Sequence, residues 1–226
     1  GLVGRDDKAG RLRELLTAAG VEASGLVADE GRCTTTKVRI VTTRNQQVAR
    51  VDYELEAEIQ GDTERRVIAE LLKHAPRASA IVISDYLKGC ITRAVVETAV
   101  AAARTRGIPV LVDPKIPHVD YYTGTSLVTP NHHEAEIAAN MRVRSEEEAR
   151  AAARLFRERA RCAGVLMTRG DQGMWLLGDG VEGHLPATAR EVADVTGAGD
   201  TVMAAMTLAL AAGGSFEQAA RLANYA

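Results

Sequence analysis

The sequence predicts an α/β fold with a mostly parallel sheet flanked by helices. Short apolar runs of strand length alternate along the 226-residue chain with segments whose apolar residues recur at helical spacing. A helix between two consecutive strands joins them as right-handed parallel neighbours, so this alternation indicates a parallel sheet. With 46% hydrophobic residues, the chain is long enough to bury one sizeable core.

The first part of the chain predicts a helix followed by a two-stranded hairpin. Leucines recur on one face of a helix over residues 6–19, and Gly20 follows as a residue that ends helices. Polar and apolar residues then alternate over 34–42 and over 47–54. A period of two indicates paired strands that expose one face.

Four short apolar runs predict buried strands of the parallel sheet. Each run ends at a polar residue or at proline, and they cover residues 78–84, 109–113, 127–129 and 164–168. Residues 174–177 form a further apolar run close behind the last of them. This run predicts an antiparallel continuation of the sheet.

Helices are predicted between and after these strands. Capping-box patterns begin at Ser145 and at Ser215, where a serine is followed three residues later by Glu or Gln. The apolar run after the last polar segment predicts a buried helix. The predicted helices cover residues 63–74, 92–106, 146–159, 202–212 and 216–226.

Composition limits the classes of partner. The formal net charge of -2 gives no support for general nucleic-acid binding. Charge or glycine interrupts every apolar stretch before it could span a bilayer, and residues 1–19 are too charged for a signal peptide. The three cysteines are an odd number without metal-like spacing, which favours a reducing compartment. We therefore expect a cytoplasmic protein with no nucleic-acid or membrane partner.

Chemically active residues directly follow the predicted strands. In open α/β sheets, ligands bind outside the carboxyl ends of the strands, so these residues should converge on one cleft. They are Asp85, Asp113 with Lys115, Asn131 with Glu134, and the run Thr168-Arg169-Gly170.

A glycine-containing turn opens the apolar run near the end of the chain. The turn Gly197-Ala198-Gly199 precedes Asp200, and backbone N–H groups at a helix N-terminus bind anions. A carboxylate at that place repels a bound anion, so Asp200 makes more sense as a base beside a phosphate in transfer. The turn therefore indicates phosphoryl transfer rather than simple phosphate binding.

Plainer interpretations of the same residues remain open. The turn before Asp200 could be an ordinary helix start, and Asn131 with Glu134 could merely cap a helix after Pro130. The cations of the hairpin could be solvated charges that keep an edge strand from aggregating.

Three motifs together resemble the ribokinase-type (PfkB) carbohydrate kinases. The family signature is matched by Asp194-Val195-Thr196-Gly197-Ala198-Gly199-Asp200-Thr201, the Asn-x-x-Glu motif by Asn131-His132-His133-Glu134, and the nucleotide-phosphate loop by residues 168–173. Within the family, segments around Arg44-Asn45-Gln46-Gln47, Ser84-Asp85-Tyr86 and Asp113-Pro114-Lys115 look most like the kinases of D-glycero-β-D-manno-heptose 7-phosphate. The resemblance implies a ribokinase-like sheet with a small β lid.

The resemblance also implies roles for the motif residues. Asp200 would take the proton from the attacking sugar hydroxyl, and the backbone of Gly197, Ala198 and Gly199 would hold the transferring phosphoryl group. Asn131 and Glu134 would organise Mg²⁺, largely through water. The ATP site would include Asn131, Thr168, Arg169, Gly170, Gly173 and Thr196. Asp194 and Thr196 match positions that carry a monovalent cation, such as K⁺, in several members.

For the sugar phosphate, the implied contacts lie on the hairpin and at the strand ends. Cationic donors suit a doubly charged phosphate, and amide side chains suit sugar hydroxyls. The cationic candidates are Lys37, Arg39, Arg44 and Lys88, and the other substrate-binding candidates are Asn45, Gln46, Gln47, Asp85, Asp113 and Lys115. The lid, about residues 31–55, would close over the sugar and exclude water. We expect a homodimer through the lid.

The domain prediction is a single kinase domain over residues 1–226, truncated at both ends. The family's N-terminal strand with a sugar-binding Asp and its Gly-Gly-x-x-Asn segment do not occur in this sequence. Two rival functions stay open: a kinase of the same family for another sugar phosphate or a nucleoside, and a truncated, non-catalytic module that binds sugar or nucleotide.

Overall fold

The computed structural model describes residues 1–44, 46–178, 180–188 and 197–226. The chain divides into two compact units. The first comprises Gly1–Lys73 and Leu87–Val95, and the second comprises His74–Tyr86 and Val96–Ala226. The predicted hairpin belongs to the first unit, and the predicted parallel strands belong to the second.

A parallel pair of short strands and an antiparallel hairpin form the sheets of the first unit. In chain order its elements are β1 (Leu2–Val3), α1 (Asp7–Ala18), β2 (Val27–Ala28), β3 (Thr36–Val41), β4 (Gln47–Tyr53) and α2 (Gly61–His74). β1 pairs with β2, although the sequence predicts no strand ahead of the first helix. A strand of 2 residues is too short to show a periodic pattern.

Local chemistry explains where α1 begins. The prediction starts this helix at residue 6, but Asp6 lies outside it as the N-cap. Its Oδ1 accepts a hydrogen bond from the Ala9 N–H at 3.0 Å, and its Oδ2 accepts from the Thr34 N–H at 2.8 Å. The hydrogen bonds from Thr34, backbone first, lower the pKa of Asp6.

The hairpin of β3 and β4 has one apolar and one charged face. Residues directly opposite each other share a face: Val38 with Val51 and Ile40 with Ala49 on the apolar one, Lys37 with Asp52 and Arg39 with Arg50 on the charged one. Val38 is 41% exposed and Ile40 is 50% exposed. The two-stranded prediction is confirmed, and its apolar face is largely uncovered.

A six-stranded sheet organises the second unit. Its spatial order is β10-β9-β8-β7-β6-β5, formed by β5 (Ile81–Ser84), β6 (Val110–Asp113), β7 (Leu127–Val128), β8 (Gly164–Thr168), β9 (Met174–Gly178) and β10 (Val181–Leu185). β5 to β8 are parallel, and β9 and β10 are antiparallel to their neighbours. The mostly parallel sheet and its antiparallel continuation are confirmed. β10 is an additional strand that the sequence did not predict.

Helices flank this sheet and connect its strands. They are α3 (Arg93–Arg106), which runs from the first unit into the second, followed by α4 (His132–Ala139), α5 (Glu146–Ala160), α6 (Ala198–Ala211) and α7 (Phe216–Ala223). The predicted capping boxes at Ser145 and Ser215 are both formed. A 3₁₀ helix over Ile116–Tyr121, which the sequence did not predict, follows β6.

Two predictions of full burial are wrong. β5 is at the end of the described sheet, so Val82 is 45% exposed although Ile83 is buried. α6 buries Met203 and Met206 in the core cluster of the sheet but leaves Leu208 70% exposed, because only one face of the helix meets that cluster. Of the helices in the described ranges, none combines the length and apolar character needed to cross a bilayer.

Candidate phosphoryl-transfer site

One cavity at the carboxyl ends of the parallel strands contains six of the predicted site residues. Its volume is about 210 Å³, and it is lined by Tyr86, Asp113, Lys115, Thr129, Asn131, Glu134, Thr168, Gly199 and Val202. Five segments far apart in sequence meet there because each follows a strand or opens α6. The convergence predicted for the strand ends is therefore present for Asp113, Lys115, Asn131, Glu134 and Thr168.

Lys115 and Glu134 form the central ion pair of the cavity. Lys115 Nζ donates to Glu134 Oε1 at 2.6 Å. Burial on its own would lower the pKa of Lys115, but the hydrogen bond and charge of Glu134 outweigh it and raise the pKa above its ordinary value. Of the described residues that line the cavity, Lys115 alone is cationic. It is therefore the group suited to meet a phosphate there.

Asn131 and Glu134 also form the capping box of α4. Asn131 Oδ1 accepts from the Glu134 N–H at 2.9 Å, and Glu134 Oε2 accepts from the Asn131 N–H at 3.0 Å. The plain capping interpretation of these residues is thus correct. The capping bonds also fix both side chains at the cavity wall, so the capping role is compatible with the predicted functional one.

Asp113 lies at the end of β6 in an unfavourable place for a negative charge. Burial, followed by the charges of Glu134 and Asp200, raises the pKa of Asp113 to about 6 against the opposing effect of Lys115. Carboxylates thus outnumber cations around the cavity. Such a site favours the binding of a cation.

The first turn of α6 presents backbone N–H groups at the same cavity. Gly197 is the N-cap residue, with φ of 78°, and α6 begins at Ala198. Gly199 lines the cavity, and Asp200, in the same turn, is exposed. The Thr201 Oγ1 and N–H both bond to the Gly197 carbonyl oxygen, at 3.0 and 2.9 Å, which secures the turn. The left-handed φ explains why glycine stands at position 197.

The end of β8 and its turn to β9 contain four of the residues predicted to bind the nucleotide, Thr168, Arg169, Gly170 and Gly173. Arg169 is buried, and its Nη2 donates to Gln172 Oε1 at 2.5 Å. Gly170 and Gly173 have φ of 59° and 78°. A Cβ built on Gly173 would lie 2.1 Å from the Leu185 carbonyl oxygen, so no side chain fits there.

Asp85 does not line the cavity, although the sequence predicted it as a substrate contact. It is 1% exposed, and its Oδ2 accepts from Tyr122 Oη at 2.9 Å and from His118 Nδ1 at 2.6 Å. A buried carboxylate is stable only with such partners. In this structure, Asp85 is held behind the cavity wall, and Tyr86 lines the cavity instead.

The predicted phosphate-binding lysines lie in an ion-pair network of the first unit. Lys37 Nζ is 2.9 Å from Glu54 Oε2, and Lys88 Nζ is 2.7 Å from Glu54 Oε1. The hydrogen bonds from Lys88 and then Lys37 lower the pKa of Glu54. Arg39 is exposed, and no hydrogen bond or ion pair of its guanidinium occurs within the described part of the chain. One carboxylate thus bridges two of the predicted cations.

The remaining predicted positions are in the hairpin turn and before α6. Arg44, Gln46 and Gln47 are exposed at the turn, where the Thr42 hydroxyl accepts from the Arg44 and Gln46 N–H groups at 3.2 Å. Asn45, Asp194 and Thr196 lie outside the described residues.

Sequence reasoning missed Tyr86, Thr129, His118 and Tyr122. Tyr86 and Thr129 each stand next to a predicted residue at a strand end, and this adjacency was the available signal. His118 and Tyr122 follow Lys115 in the segment after β6. Neither belongs to a recognisable sequence motif, because each makes its buried contact with Asp85, a residue far away in the sequence.

The oxygen donors at the cavity fit a magnesium ion held through water. Within the described ranges, no three His, Cys, Asp or Glu side chains converge closely enough to cage a metal directly. Mg²⁺ usually keeps several waters and takes one or two carboxylates plus substrate phosphates. A cation there would also offset the charges of Glu134 and Asp200, which add to the effect of burial in raising the pKa of Asp113.

Solved structures of sugar kinases share this fold of an α/β sheet flanked by helices. Arabidopsis thaliana ribokinase complexed with ribose and ATP is similar at a TM-score of 0.75 and 21% identity, over 99% of this chain and 72% of that chain. Escherichia coli phosphofructokinase-2 in complex with fructose-6-phosphate is similar at a TM-score of 0.78 and 20% identity, over 98% and 72%. The ribokinase-like fold is confirmed.

The chain belongs to the pfkB family of carbohydrate kinases, whose model matches residues 1–226. It is 42% identical over 226 residues to the bifunctional protein HldE of Geotalea uraniireducens, covering 100% of this chain and 46% of that protein. HldE of Geobacter sulfurreducens gives the same identity and coverage. The chain thus spans about half the length of the curated relatives it matches.

Proposed function

We propose that this chain is an ATP-dependent kinase that phosphorylates D-glycero-β-D-manno-heptose 7-phosphate at its anomeric hydroxyl. The main support for a kinase activity is that Lys115, Asn131 and Glu134 line one cavity together with the first turn of α6. The choice of sugar rests on the segments that resemble the heptose-phosphate kinases. The relatives named HldE are consistent with a family member of this kind.

Asp200 acts as the general base in the proposed reaction. Its carboxylate accepts the proton as the anomeric oxygen bonds to the γ-phosphorus of ATP and the bond to the ADP oxygen breaks. The N–H groups of Gly197, Ala198 and Gly199 stabilise the charge on the phosphoryl oxygens. Lys115 adds its positive charge at the same cavity. Positioning and charge supply most of the catalysis.

Residues beside the cavity hold the nucleotide. The loop of Thr168, Arg169, Gly170 and Gly173 binds the ATP phosphates and ribose. Asn131 and Glu134 would hold Mg²⁺ through water, and the ion would neutralise part of the charge of the ATP phosphates. The proposal of a K⁺ site rests on Asp194 and Thr196, which lie outside the described residues.

The hairpin unit recognises the phosphorylated end of the substrate. Arg39 and Arg44 are exposed cations, and Arg offers two parallel donors to a phosphate. Lys37 and Lys88 bind Glu54 and would exchange that carboxylate for the substrate phosphate. We further propose that the hairpin is the lid of a single kinase domain, and that its exposed apolar face pairs two copies into a homodimer.

The test is ADP formation by this chain with ATP and Mg²⁺ over a panel of acceptors. The panel holds D-glycero-D-manno-heptose 7-phosphate, fructose 6-phosphate, ribose and a nucleoside, with Asp200→Asn as the control. We expect turnover on the heptose phosphate alone. In the Asp200→Asn control, the rate of ADP formation should be lower by a factor of about 10²–10⁴.

The other outcomes identify the rival functions. Turnover on a different acceptor that is lost in Asp200→Asn would make the chain a kinase of this family for that acceptor. ATP binding by calorimetry without turnover on any acceptor would favour a non-catalytic binding module. Sedimentation of the wild type against Val38→Glu tests the dimer, because a charge on the apolar face should leave a monomer.

A further inference from the structure

A buried polar network lies behind the wall of the cavity. Asp85, His118 and Tyr122 are 1%, 8% and 0% exposed. Asp85 Oδ2 accepts from both partners, at 2.6 Å from His118 Nδ1 and at 2.9 Å from Tyr122 Oη. Because burying such groups costs free energy, a network of this kind holds its neighbours in one arrangement.

The network continues from Asp85 to the backbone of Lys115. Tyr122 Oη accepts from the Lys115 N–H at 2.9 Å while it donates to Asp85. Burial raises the pKa of Tyr122 well above its ordinary value, so its hydroxyl stays protonated and remains a donor. The chain of contacts then reaches the cavity, since Lys115 Nζ donates to Glu134 at 2.6 Å.

Lys115 stands at the start of the segment that the network holds. It precedes the 3₁₀ helix Ile116–Tyr121 in an extended conformation, with φ of -128° and ψ of 138°, and its own side chain caps nothing. His118, inside that helix, stacks on Tyr121 with ring centroids 4.4 Å apart. Asp85 therefore holds this segment both through His118 and through Tyr122.

The Asp85–His118 pair is not placed for proton transfer to a substrate. Neither residue is among those that line the cavity. The ring of His118 is buried against Tyr121 and Asp85. A general base must lie within hydrogen-bond reach of the proton it removes, so this pair has a different role.

We propose that Asp85 is a positioning residue. Through Tyr122 it fixes the backbone of Lys115. It thereby also positions the Lys115 ammonium group, the one cationic group that the described residues bring to the cavity. The catalytic consequence rests on the proposed kinase function. Loosening Lys115 should lower kcat about tenfold or more with KM within about twofold, because phosphoryl transfer depends on aligned charge.

A double-mutant cycle between Tyr122→Phe and Lys115→Met tests the proposal. Tyr122→Phe keeps the buried ring and removes only the hydroxyl that links Asp85 to Lys115. We expect about a tenfold loss of kcat in the wild-type background and less than about a twofold further loss when Lys115 is already Met. Tyr225→Phe, at a residue 78% exposed, is the control and should change neither.

Equal losses in both backgrounds would overturn the proposal, since a general structural defect does not require Lys115. Amide hydrogen exchange of Lys115 gives a readout that does not depend on activity. Exchange should speed up at least about tenfold in Tyr122→Phe and in Asp85→Leu, which removes the acceptor, but not in Tyr225→Phe. Unchanged exchange would also refute the positioning role. A wild type that lacks turnover yet shows this pattern would refute the kinase function alone.

Discussion

The hairpin side of the first unit and the strand-end cavity of the second both assemble lysines and carboxylates, but they differ in how many cations they hold. On the hairpin side, Lys37 and Lys88 share Glu54, and each lysine also meets a second carboxylate, Asp52 for Lys37 and Glu56 for Lys88. At the cavity, Lys115 stands among Glu134, Asp113 and Asp200, so carboxylates exceed the cation. The hairpin arrangement suits the exchange of one anion for another. The cavity arrangement suits the binding of a metal ion and of a phosphoryl group during its transfer.

The pKa shifts of the carboxylates also differ between the two regions. At the cavity, burial and neighbouring charges raise the pKa of Asp113 to about 6. On the hairpin side, hydrogen bonds from the lysines lower the pKa of Glu54, and the surrounding water screens the pairs. Substitutions at the cavity should therefore change the chemical step, whereas those at the hairpin should change substrate affinity.

The same substitution in each region gives the largest expected contrast. Lys115→Met should lower kcat by about 10²–10³, because it removes a charge that stabilises the transferring phosphoryl group. Lys37→Met should leave kcat within about twofold and raise the KM for the sugar phosphate several-fold. Steady-state kinetics of both variants check this. A kcat loss of similar size in both would erase the distinction between the regions.

Arg39→Ala should produce the next largest effect. Arg39 is the register partner of Arg50 on the charged face of the hairpin, and the loss of a phosphate donor should raise KM about tenfold at constant kcat. The salt dependence of kcat/KM should also weaken, because one exposed charge fewer attracts the substrate. Arg65→Ala on α2, an exposed arginine paired with Asp62, is the matched control. If both variants behave alike, Arg39 has no specific role.

Asp113→Asn should stabilise the ligand-free fold by about 1 kcal/mol above pH 6, after allowance for partial exposure. The folded-state pKa of about 6 exceeds the ordinary 3.8, so the folded protein holds the proton more tightly. The stability from this carboxyl is fully present below about pH 4 and is lost as the pH rises through 6.

Urea unfolding at about pH 5 and pH 8 measures this effect. The variant should lose part of the decline in stability that the wild type shows between the two conditions. Asp62→Asn, an exposed carboxylate of α2, should leave the decline unchanged. A variant that is less stable than the wild type at pH 8 would contradict the assignment.

Glu54→Gln should have the smallest effect and the opposite sign from the lysine variants. Without a carboxylate between them, Lys37 and Lys88 should bind the substrate phosphate more readily, so KM should fall about threefold. Asp62→Asn is again the control. A higher KM would mean that Glu54 orders the lysines rather than competes for them.

Local sequence patterns predicted the starts of two helices and several residues of the cavity. The capping boxes at Ser145 and Ser215 were predictable because a cap depends on residues three apart. Five residues of the cavity were predictable because parallel strands present their carboxyl ends at one edge; these are Asp113, Lys115, Asn131, Glu134 and Thr168. Both rules need no knowledge of distant packing.

Features that depend on distant packing were not predictable. The burial of Asp85 follows from its contacts with His118 and Tyr122, which lie more than thirty residues away, at separations of 33 and 37. The pairing of β1 with β2 likewise joins two very short segments across α1. Sequence reasoning reads a polar residue after a strand as a ligand contact, and it cannot tell a residue in the cavity from one just behind it.

The crowding around Gly173 limits which codon changes the gene can tolerate at this position. A Cβ at this position would overlap the Leu185 carbonyl oxygen at 2.1 Å and the Ala187 nitrogen at 2.6 Å, and the backbone has φ of 78°. Every missense change in the codon adds a side chain at this point of contact with the end of β10. Codon 173 should therefore be depleted of tolerated missense alleles in a saturation mutagenesis screen, whereas codon 183, whose glycine meets nothing within 4 Å, should accept alanine.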